Sequence, residues 1–378
     1  MEDLSKTLAA RLEKLSFENL TLFGKDNHLE SWTAFLKSCR AISEAIPHQR
    51  LGVEPLSQQV EIAKAALSLG SLSSDEARVF FESHFTPYLI VPNESLDQGS
   101  SSFFTAYYRP EIFASPVRTE NFTEPLLARP DDLVTLLPGE DIAELSGLAA
   151  ARLMPDGARI AYPTRAEIDA GAIGEHTHPV AFVADAIEAF MIHVQGSARL
   201  RFPDGTKIDL TYAGRNGRPY TSIGKILIAD GEISLEDMSL DRLKAWVRQA
   251  GQKPGERGRA LLHRNASFVF FSASPVDDDA LEPVAAASVA LTSLRSIAID
   301  RSLWPYGLPF WIEADLPWHD GAMIPFHRLM IAQDTGSAIL GPARADLYFG
   351  TGDEAGRLAG NIRHYGRMIV LLPKSYVP

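Results

Sequence analysis

The sequence predicts a mainly β protein with a helical N-terminal part. Up to residue 86, apolar residues recur every three or four positions, as in amphipathic helices. Beyond that point the period changes to two, in short runs separated by Gly, Pro and Asn, as in strands joined by turns. With 378 residues and 46% hydrophobic composition, the chain can bury a large core, and its size suggests two domains.

Three amphipathic segments come first. In "NHLESWTAFLKSCRAISEAI", Trp32, Phe35 and Cys39 share one apolar face, so we expect Cys39 to lie in the core. The segments "PLSQQVEIAKAALSLG" and "SSDEARVFFESHF" predict two further helices. Ser73 or Ser74 caps the last of them, and acidic residues in its first turn complement the helix dipole.

Alternating segments follow in the middle of the chain. We expect strands in "PYLIVP", "SSFFTAYYRPEIF" and "EAFMIHVQGSARLRFPDGTKIDLTYAG", with "FPDGT" as a hairpin turn, and therefore a mostly antiparallel sheet. In "YPTRAEIDAG", Thr164 and Glu167 have the spacing of a capping box and predict a short helix. In "SLEDMSLDRLKAWVRQAG", Ser239 can cap another helix.

The last third predicts a small barrel of short strands. After the strand-like "NASFVFFSAS", the acidic segment "DDDALEPVAAA" is typical of a crossing between domains. The runs "LRSIAID", "LPFWIEA", "HRLMIAQD", "ADLYFG" and "GRMIVLLP" then alternate with turns, and "DEAGRLAGNIRH" predicts the one helix of this region.

Composition and charge exclude several function classes. The net charge of −12 and the absence of a dense Lys/Arg run argue against nucleic-acid binding. The single cysteine, Cys39, excludes an intramolecular disulfide and a Cys-based metal site. The first twenty residues lack the features of a secretory signal, no stretch reaches 18 apolar residues, and Cys39 is poorly placed for lipidation, so we expect neither a transmembrane segment nor a lipid anchor in this sequence.

Three aspartates, Asp300, Asp334 and Asp346, lie at the ends of strand-like runs beside turns. Such residues commonly accept hydrogen bonds from turn backbone. Three of them in one small barrel can instead converge on a cleft, where lost solvation raises the pKa of a carboxyl group and suits it to general acid catalysis. The sequence leaves both interpretations open for each residue.

Carboxyl groups of this kind are suited to glycoside cleavage. Hydrolysis usually requires two carboxylates. One suffices when the nucleophile is a hydroxyl of the substrate, because the same group protonates the leaving oxygen and then accepts the hydroxyl proton.

Aromatic, amide and hydroxyl residues suited to a sugar groove occur in three motifs, "TAYYRPE", "HVQGSARL" and "YAGRNGRPYTSIGK". Ordinary strand packing explains each of them equally well. The candidates are Thr105, Tyr107, Tyr108, Gln195, Ser197, Asn216, Tyr220 and Lys225. "EHTHP" places His176 near His178 and Glu175, but this spacing is a weak metal signal, so we expect no metal site and no cofactor.

Several long motifs in order resemble the membrane-bound lytic murein transglycosylase A family with its C-terminal three-aspartate domain. They include "VQGSARLRFPDG", "YAGRNGRPYTSIGK", "AIDRSLWPYGLPFWI" and "RLMIAQDTGSAILGPARADLYFGTGDEAGRLAG". The resemblance spans roughly residues 80 to 374. It implies a double-psi β-barrel catalytic domain with a second β-barrel domain inserted in it. We expect residues 1–110 to hold the helical region and the first part of the catalytic domain, residues 111–278 the inserted barrel, and residues 279–378 the three-aspartate part.

The resemblance also implies the reaction. Family members cleave the β-1,4 bond between N-acetylmuramic acid and N-acetylglucosamine in peptidoglycan and leave a 1,6-anhydro-muramyl end. It implies Asp346 as the acid and then the base, Asp334 as its supporting neighbour and Asp300 as a structural residue, with glycan strands as the partner and the periplasmic side of a bacterial envelope as the location. Two alternatives remain, a peptidoglycan-binding protein without catalysis and a hydrolytic glycosidase that uses Asp334 and Asp346 as a pair.

Overall fold

The structure is a computed structural model that describes residues 9–93, 102–136, 142–276, 278 and 282–376. The chain divides into two compact units: unit 1 comprises Met1–Tyr108 and Ala280–Pro378, and unit 2 comprises Arg109–Asp279. The predicted crossing "DDDALEPVAAA" begins at residue 277, and residues 277 and 279–281 of it lie outside the described residues.

Strands make up most of the regular structure. Within the described residues they are β1 Ala10–Lys14, β2 Phe85–Pro92, β3 Ser102–Arg109, β4 Glu111–Ser115, β5 Glu124–Leu127, β6 Leu133–Thr135, β7 Ala150–Leu153, β8 Arg159–Ala161, β9 Pro179–Val183, β10 Ala198–Arg201, β11 Lys207–Arg215, β12 Val269–Pro275, β13 Ser296–Ala298, β14 Pro309–His319, β15 Ala322–Asp334, β16 Arg344–Thr351 and β17 Arg363–Pro373. The mainly β class is confirmed. Most of the pairings are antiparallel, as predicted, whereas β4 with β10 and β13 with β15 are parallel.

The helices are fewer than the strands. In the described part of the chain the α-helices are His28–Ser43, Ser57–Leu69, Ser74–His84, Arg165–Asp169, Ala186–Gln195, Ile223–Ala229, Leu240–Gln249, Arg257–His263 and Asp353–Ala359. The caps predicted at Ser73, Thr164 and Ser239 are confirmed, because each side chain accepts a hydrogen bond from the backbone amide three residues later. None of these helices combines the length and apolar character that a membrane span requires.

Unit 1 is built around a closed barrel. Strands β3, β17, β14, β15, β13 and β16 pair in that order, and β16 pairs again with β3. Two strands pair with different parts of β17: β3 pairs with Arg363–Gly366, and β2 pairs with Ile369–Pro373. Closure leaves no free edge in the barrel, and it brings β3 from the first part of the chain beside β16 from the last.

The N-terminal helices cover one side of this barrel. Trp32 and Phe35 are almost fully buried and pack with Phe80 and Phe81 in a cluster that also contains Trp311 of β14. Cys39 lies in the same cluster, as predicted, and its burial raises the pKa of the thiol. Cys39 is therefore an inert core residue.

Unit 2 contains two sheets. Strands β12, β11, β10, β4, β9 and β5 form a six-stranded sheet, and β6, β7 and β8 form a three-stranded one. The residue that follows β5, Ala128, forms a bridge with Phe271 of β12, which links the two outer strands of the larger sheet. The hairpin predicted at "FPDGT" joins β10 to β11.

One sequence prediction on secondary structure is wrong, and one strand was not predicted. The segment "EAFMIHVQ", predicted as a strand, belongs to the helix Ala186–Gln195, which Asp185 caps and Gly196 ends with φ of 77°. This helix is buried on nearly all sides, so its apolar residues show no helical period. Residues Ala10–Lys14 form β1, a strand that was not predicted, by pairing with the distant strand β2.

Candidate functional site

Two of the three predicted aspartates flank the same residue of β13. Ala298 lies opposite Asp334 of β15 on one side and opposite Asp346 of β16 on the other. Adjacent strands are about 4.8 Å apart, so the two aspartate Cα atoms lie about 10 Å apart across β13. A β-bulge shifts the register immediately before Asp334. Residues in register share a face of the sheet, so both carboxylates belong to one site in unit 1.

Asp346 lies on β16 and is half-buried. The hydroxyl of Thr105 donates a hydrogen bond to its Oδ1 atom. Arg344, two residues earlier on the same strand face, donates from Nη2 to Thr105 Oγ1 at 2.6 Å. Burial raises the pKa of Asp346 above its ordinary value, against the opposing effects of Arg344 and Thr105, and the charge of Asp334 adds to the rise.

Asp334 ends β15 and accepts three hydrogen bonds. Tyr107 donates from its hydroxyl to Oδ2 at 2.9 Å, and the backbone amides of Thr335 and Ala286 donate to Oδ1 at 2.8 and 3.2 Å. Burial raises the pKa of Asp334, while these donors and Arg50 oppose the rise. These three donors favour the ionised form of Asp334.

A second layer of residues supports Tyr107. Its ring lies 5.2 Å from the ring of Tyr348, measured between centroids, and burial together with Asp334 raises the pKa of its hydroxyl. Tyr107 therefore remains a donor at neutral pH. Tyr348 and Thr351 both donate hydrogen bonds to Glu282.

Asp300 lies outside this pair and is almost fully buried. Its Oδ1 accepts from the amide and hydroxyl of Ser302 at 3.0 and 2.6 Å, and its Oδ2 accepts from the amide of Gly341 at 2.8 Å. These bonds join the loop after β13 to the loop before β16. Both carboxylate oxygens of Asp300 therefore serve to hold backbone in place.

The sequence missed Arg344 and Glu282. The available signal for Arg344 was its position two residues before Asp346, since alternate residues of a strand share a face. Glu282 carried no comparable signal, because it meets Tyr348 only through the fold.

The other predicted groove residues occupy several environments. Tyr108 is buried in the unit 1 core, where its ring packs against Gly356. Asn216, in unit 2, has no exposed surface, and its amide donates to the carbonyls of Pro163 and Ala266 at 2.9 and 2.8 Å. These contacts explain why Tyr108 and Asn216 are buried, and their role as sugar contacts stays a prediction.

The remaining candidates lie in unit 2 and stay predictions. Gln195 ends its helix, and Ser197 connects that helix to β10. Tyr220 and Lys225 are both exposed. Tyr220 precedes the helix Ile223–Ala229, and Lys225 lies in its first turn.

His176, whose motif is the weak metal signal of the sequence, lies beside Asp131 and Asp132. Its Nδ1 atom lies 2.6 Å from Oδ1 of Asp131, and Asp132 completes a group of three possible metal ligands. However, Asp132 already accepts from Tyr162 and Arg152, each at 2.6 Å. The guanidinium of Arg152 neutralises this carboxylate, so the group needs no ion to be satisfied.

Comparison with known proteins gives consistent results across both units. Residues 103–272 match the family described as the MltA specific insert domain, and residues 295–372 match the 3D domain. The membrane-bound lytic murein transglycosylase A of Escherichia coli K12 is 36% identical over 283 residues, which cover 74% of this chain and 67% of that protein. The Vibrio cholerae protein of the same name is 39% identical over 210 residues, or 54% of this chain and 55% of that protein.

Solved structures agree. A membrane-bound lytic murein transglycosylase from Agrobacterium tumefaciens has a TM-score of 0.84 and 32% identity, and the match covers 96% of this chain and 98% of that one. Escherichia coli MltA with bound chitohexaose has a TM-score of 0.66 and 27% identity, with 97% and 95% covered. Sequence and structure together establish that this chain belongs to the membrane-bound lytic murein transglycosylase A family.

Proposed function

We propose that this protein is a lytic transglycosylase that cleaves the β-1,4 bond between N-acetylmuramic acid and N-acetylglucosamine in peptidoglycan. The observation that carries the proposal is the half-buried carboxyl of Asp346, whose pKa is raised by burial and which faces a second carboxyl across β13. Family membership supplies the substrate class and the reaction type.

Asp346 acts first as a general acid. Because Thr105 donates to Oδ1, the proton belongs on Oδ2, from which it passes to the glycosidic oxygen. The bond from that oxygen to C1 of the muramyl residue breaks, and positive charge develops on the sugar ring. The ionised carboxyls of Asp346 and Asp334 then stabilise this charge.

Asp346 acts next as a base. Its carboxylate accepts the proton of the C6 hydroxyl of the same muramyl residue, and the C6 oxygen forms a bond with C1. This yields the 1,6-anhydro ring and returns the proton to Asp346, so no water is consumed. The attack is intramolecular and therefore has a small entropic cost. The proposed mechanism draws on no metal and no organic cofactor.

The neighbouring residues position and tune this acid. Thr105 orients the Asp346 carboxyl, and Arg344 fixes the Thr105 hydroxyl. Tyr107 keeps Asp334 ionised through its hydrogen bond, and Asp334 in turn raises the pKa of Asp346. In this proposal Asp300 is a structural residue.

The architecture proposed for the family accounts for the two units. We take the closed barrel of unit 1 as a double-psi β-barrel catalytic domain and unit 2 as the inserted second barrel, with domains over residues 1–110, 111–278 and 279–378. The bridge between Ala128 and Phe271 supports closure of the second barrel. Gln195, Ser197, Tyr220 and Lys225 are the proposed sugar contacts of unit 2.

The partner and location follow from the substrate. We propose glycan strands of peptidoglycan as the partner and the periplasmic side of a bacterial envelope as the place of action. The family name and the chitohexaose complex of the Escherichia coli relative support this assignment.

Digestion of purified sacculi in ¹⁸O-labelled water tests the proposal. The internal C6 nucleophile predicts muropeptides that end in anhydro-muramic acid and carry no ¹⁸O, as measured by mass spectrometry. Products heavier by one labelled water would instead establish a hydrolase that uses Asp334 and Asp346 as a pair. Binding to sacculi without soluble product would establish a binding protein.

A further inference from the structure

Unit 2 contains a cavity of about 840 Å³ that the proposed reaction does not use. Its volume lies in the range of small-molecule sites. The lining combines apolar side chains, among them Leu127, Ile168 and Leu262, with a buried cation and a buried histidine, Arg165 and His193.

Arg165 is 5% exposed and is held tightly. Its Nε and Nη2 atoms donate to the carbonyls of Asn265 and Ser267 at 3.1 and 2.5 Å. Its guanidinium carbon lies 4.7 and 5.1 Å from the ring centroids of Phe190 and Phe268. Burial lowers the pKa of Arg165 to about 10, so the group remains a cation at neutral pH.

His193 is 6% exposed. Its contact with Arg165 decides which ring nitrogen carries the proton. The two side chains are joined through Nη1 of Arg165 and Nδ1 of His193, 2.9 Å apart. Because a guanidinium only donates, Nδ1 is the acceptor. Burial and Arg165 lower the pKa of His193 well below its ordinary value, so the ring is neutral and its proton lies on Nε2.

The Nε2 atom of His193 is a buried donor with no hydrogen-bond partner among the described residues. A buried donor without an acceptor is destabilising. Because His193 lines the cavity, an acceptor that enters the cavity is a candidate partner for this donor.

The carboxylates of the cavity wall have other partners, and Glu256 accepts a hydrogen bond from the backbone amide of Lys253 at 2.7 Å. Glu124 and Asp169 pair with Arg259 at 2.7 and 3.1 Å, and Asp185 pairs with Arg248 at 2.8 Å. Lys253 and Arg118, both exposed, also line the cavity and add positive charge. The cavity therefore offers donors and cations to an incoming acidic group.

We propose that this cavity binds a short acidic peptide, with a peptide carboxylate accepting hydrogen bonds from His193 Nε2 and Arg165. The apolar lining accommodates small amino-acid side chains. The proposal deepens the proposed function and rests on it for the source of the ligand, which is the peptide attached to the muramyl residues of the glycan.

Calorimetric titration of the full chain tests the binding directly. The probes are the dipeptide Ala-Glu, its uncharged counterpart Ala-Gln amide, and inorganic phosphate. We expect Ala-Glu to bind at least about tenfold more tightly than the other two, since charge-assisted hydrogen bonds are the stronger kind. Equal affinity for all three, or tighter binding of phosphate, overturns the proposal.

Two variants locate the site. His193→Phe keeps the ring and removes the donor, and Ala184→Trp places a bulky group on the exposed part of the lining without touching the buried pair. Each should weaken Ala-Glu binding at least about tenfold. Ala229→Trp, at an exposed alanine outside the cavity, is the matched control and should bind normally.

Unchanged binding by Ala184→Trp overturns the proposal even if His193→Phe fails to fold. Because the titration involves no cleavage, its result is independent of the sacculus assay. Cleavage of peptide-bearing and peptide-free glycan then tests the source. Ala184→Trp should slow only the former, and equal slowing of both contradicts the assignment to glycan-linked peptide.

Discussion

The aspartate pair across β13 and the Asp300 loop contain the same residue type in one barrel, but they differ in what surrounds the carboxyl group. Asp300 gives both oxygens to backbone and hydroxyl donors of two loops and is almost fully buried. Asp346 receives one donor, from Thr105, and remains half-buried. We propose that a strand-end aspartate is suited to acid catalysis when burial raises its pKa and hydrogen bonds do not saturate it.

The largest expected effect comes from Asp346→Asn, which removes the transferable proton. General acid and base catalysis contributes about 10²–10⁴-fold, so release of anhydro-muropeptides should fall by that factor. Asp353→Asn, at an exposed aspartate in the first turn of a helix, is the matched control. Near-normal turnover by Asp346→Asn would mean that Asp346 is no more catalytic than Asp300.

Asp334→Asn should have the next largest effect. The charge of Asp334 raises the pKa of Asp346, so its loss lowers that pKa. Each unit of this decrease reduces the protonated fraction above the pKa by about tenfold. The high-pH limb of the kcat profile should move to lower pH, and a limb that stays in place would show that Asp334 does not tune the acid.

Arg344→Gln should move the same limb in the opposite direction. Arg344 lowers the pKa of Asp346, so its removal raises the pKa and keeps the acid protonated to higher pH. A pH–rate profile of the variant measures this shift, and Lys64→Gln on an exposed helix face is the control. Movement to lower pH would contradict the assigned sign.

Asp300→Asn should affect stability more than activity. The amide cannot accept at both positions, so the hydrogen bond from Gly341 or those from Ser302 are lost. Hydrogen bonds to charged groups contribute about 1.5–3 kcal/mol, and urea unfolding should show a decrease of that order in the free energy of unfolding. A fully stable variant with kcat as low as that of Asp346→Asn would place Asp300 in the catalytic machinery.

Much of the fold could be predicted because its signals are local. The caps at Ser73, Thr164 and Ser239 depend on residues three positions apart, and the hairpin after β10 depends on a five-residue turn. The helix Ala186–Gln195 was missed because burial on nearly all sides removes its period. Strand β1 was missed because its partner lies about 75 residues away in the sequence.

The site was predictable only in part, because its geometry depends on contacts between residues far apart in the sequence. Asp334 and Asp346 could be selected as strand-end acids, but their positions on either side of Ala298 depend on the pairing of β13 with two later strands. Tyr107 was selected as a sugar contact, whereas the structure places its hydroxyl on Asp334. A bond between residues 227 positions apart leaves no trace in local sequence.

The ionisation of Asp346 in the free protein tests the central claim most directly. The chain can be labelled with ¹³C at aspartate carboxyl groups and titrated by NMR, with the Asp346 resonance assigned as the one missing from Asp346→Asn. Burial and the nearby Asp334 predict that this resonance titrates above the range of an exposed aspartate. A titration within or below that range would mean that Asp346 holds no proton to transfer, and it would contradict the account.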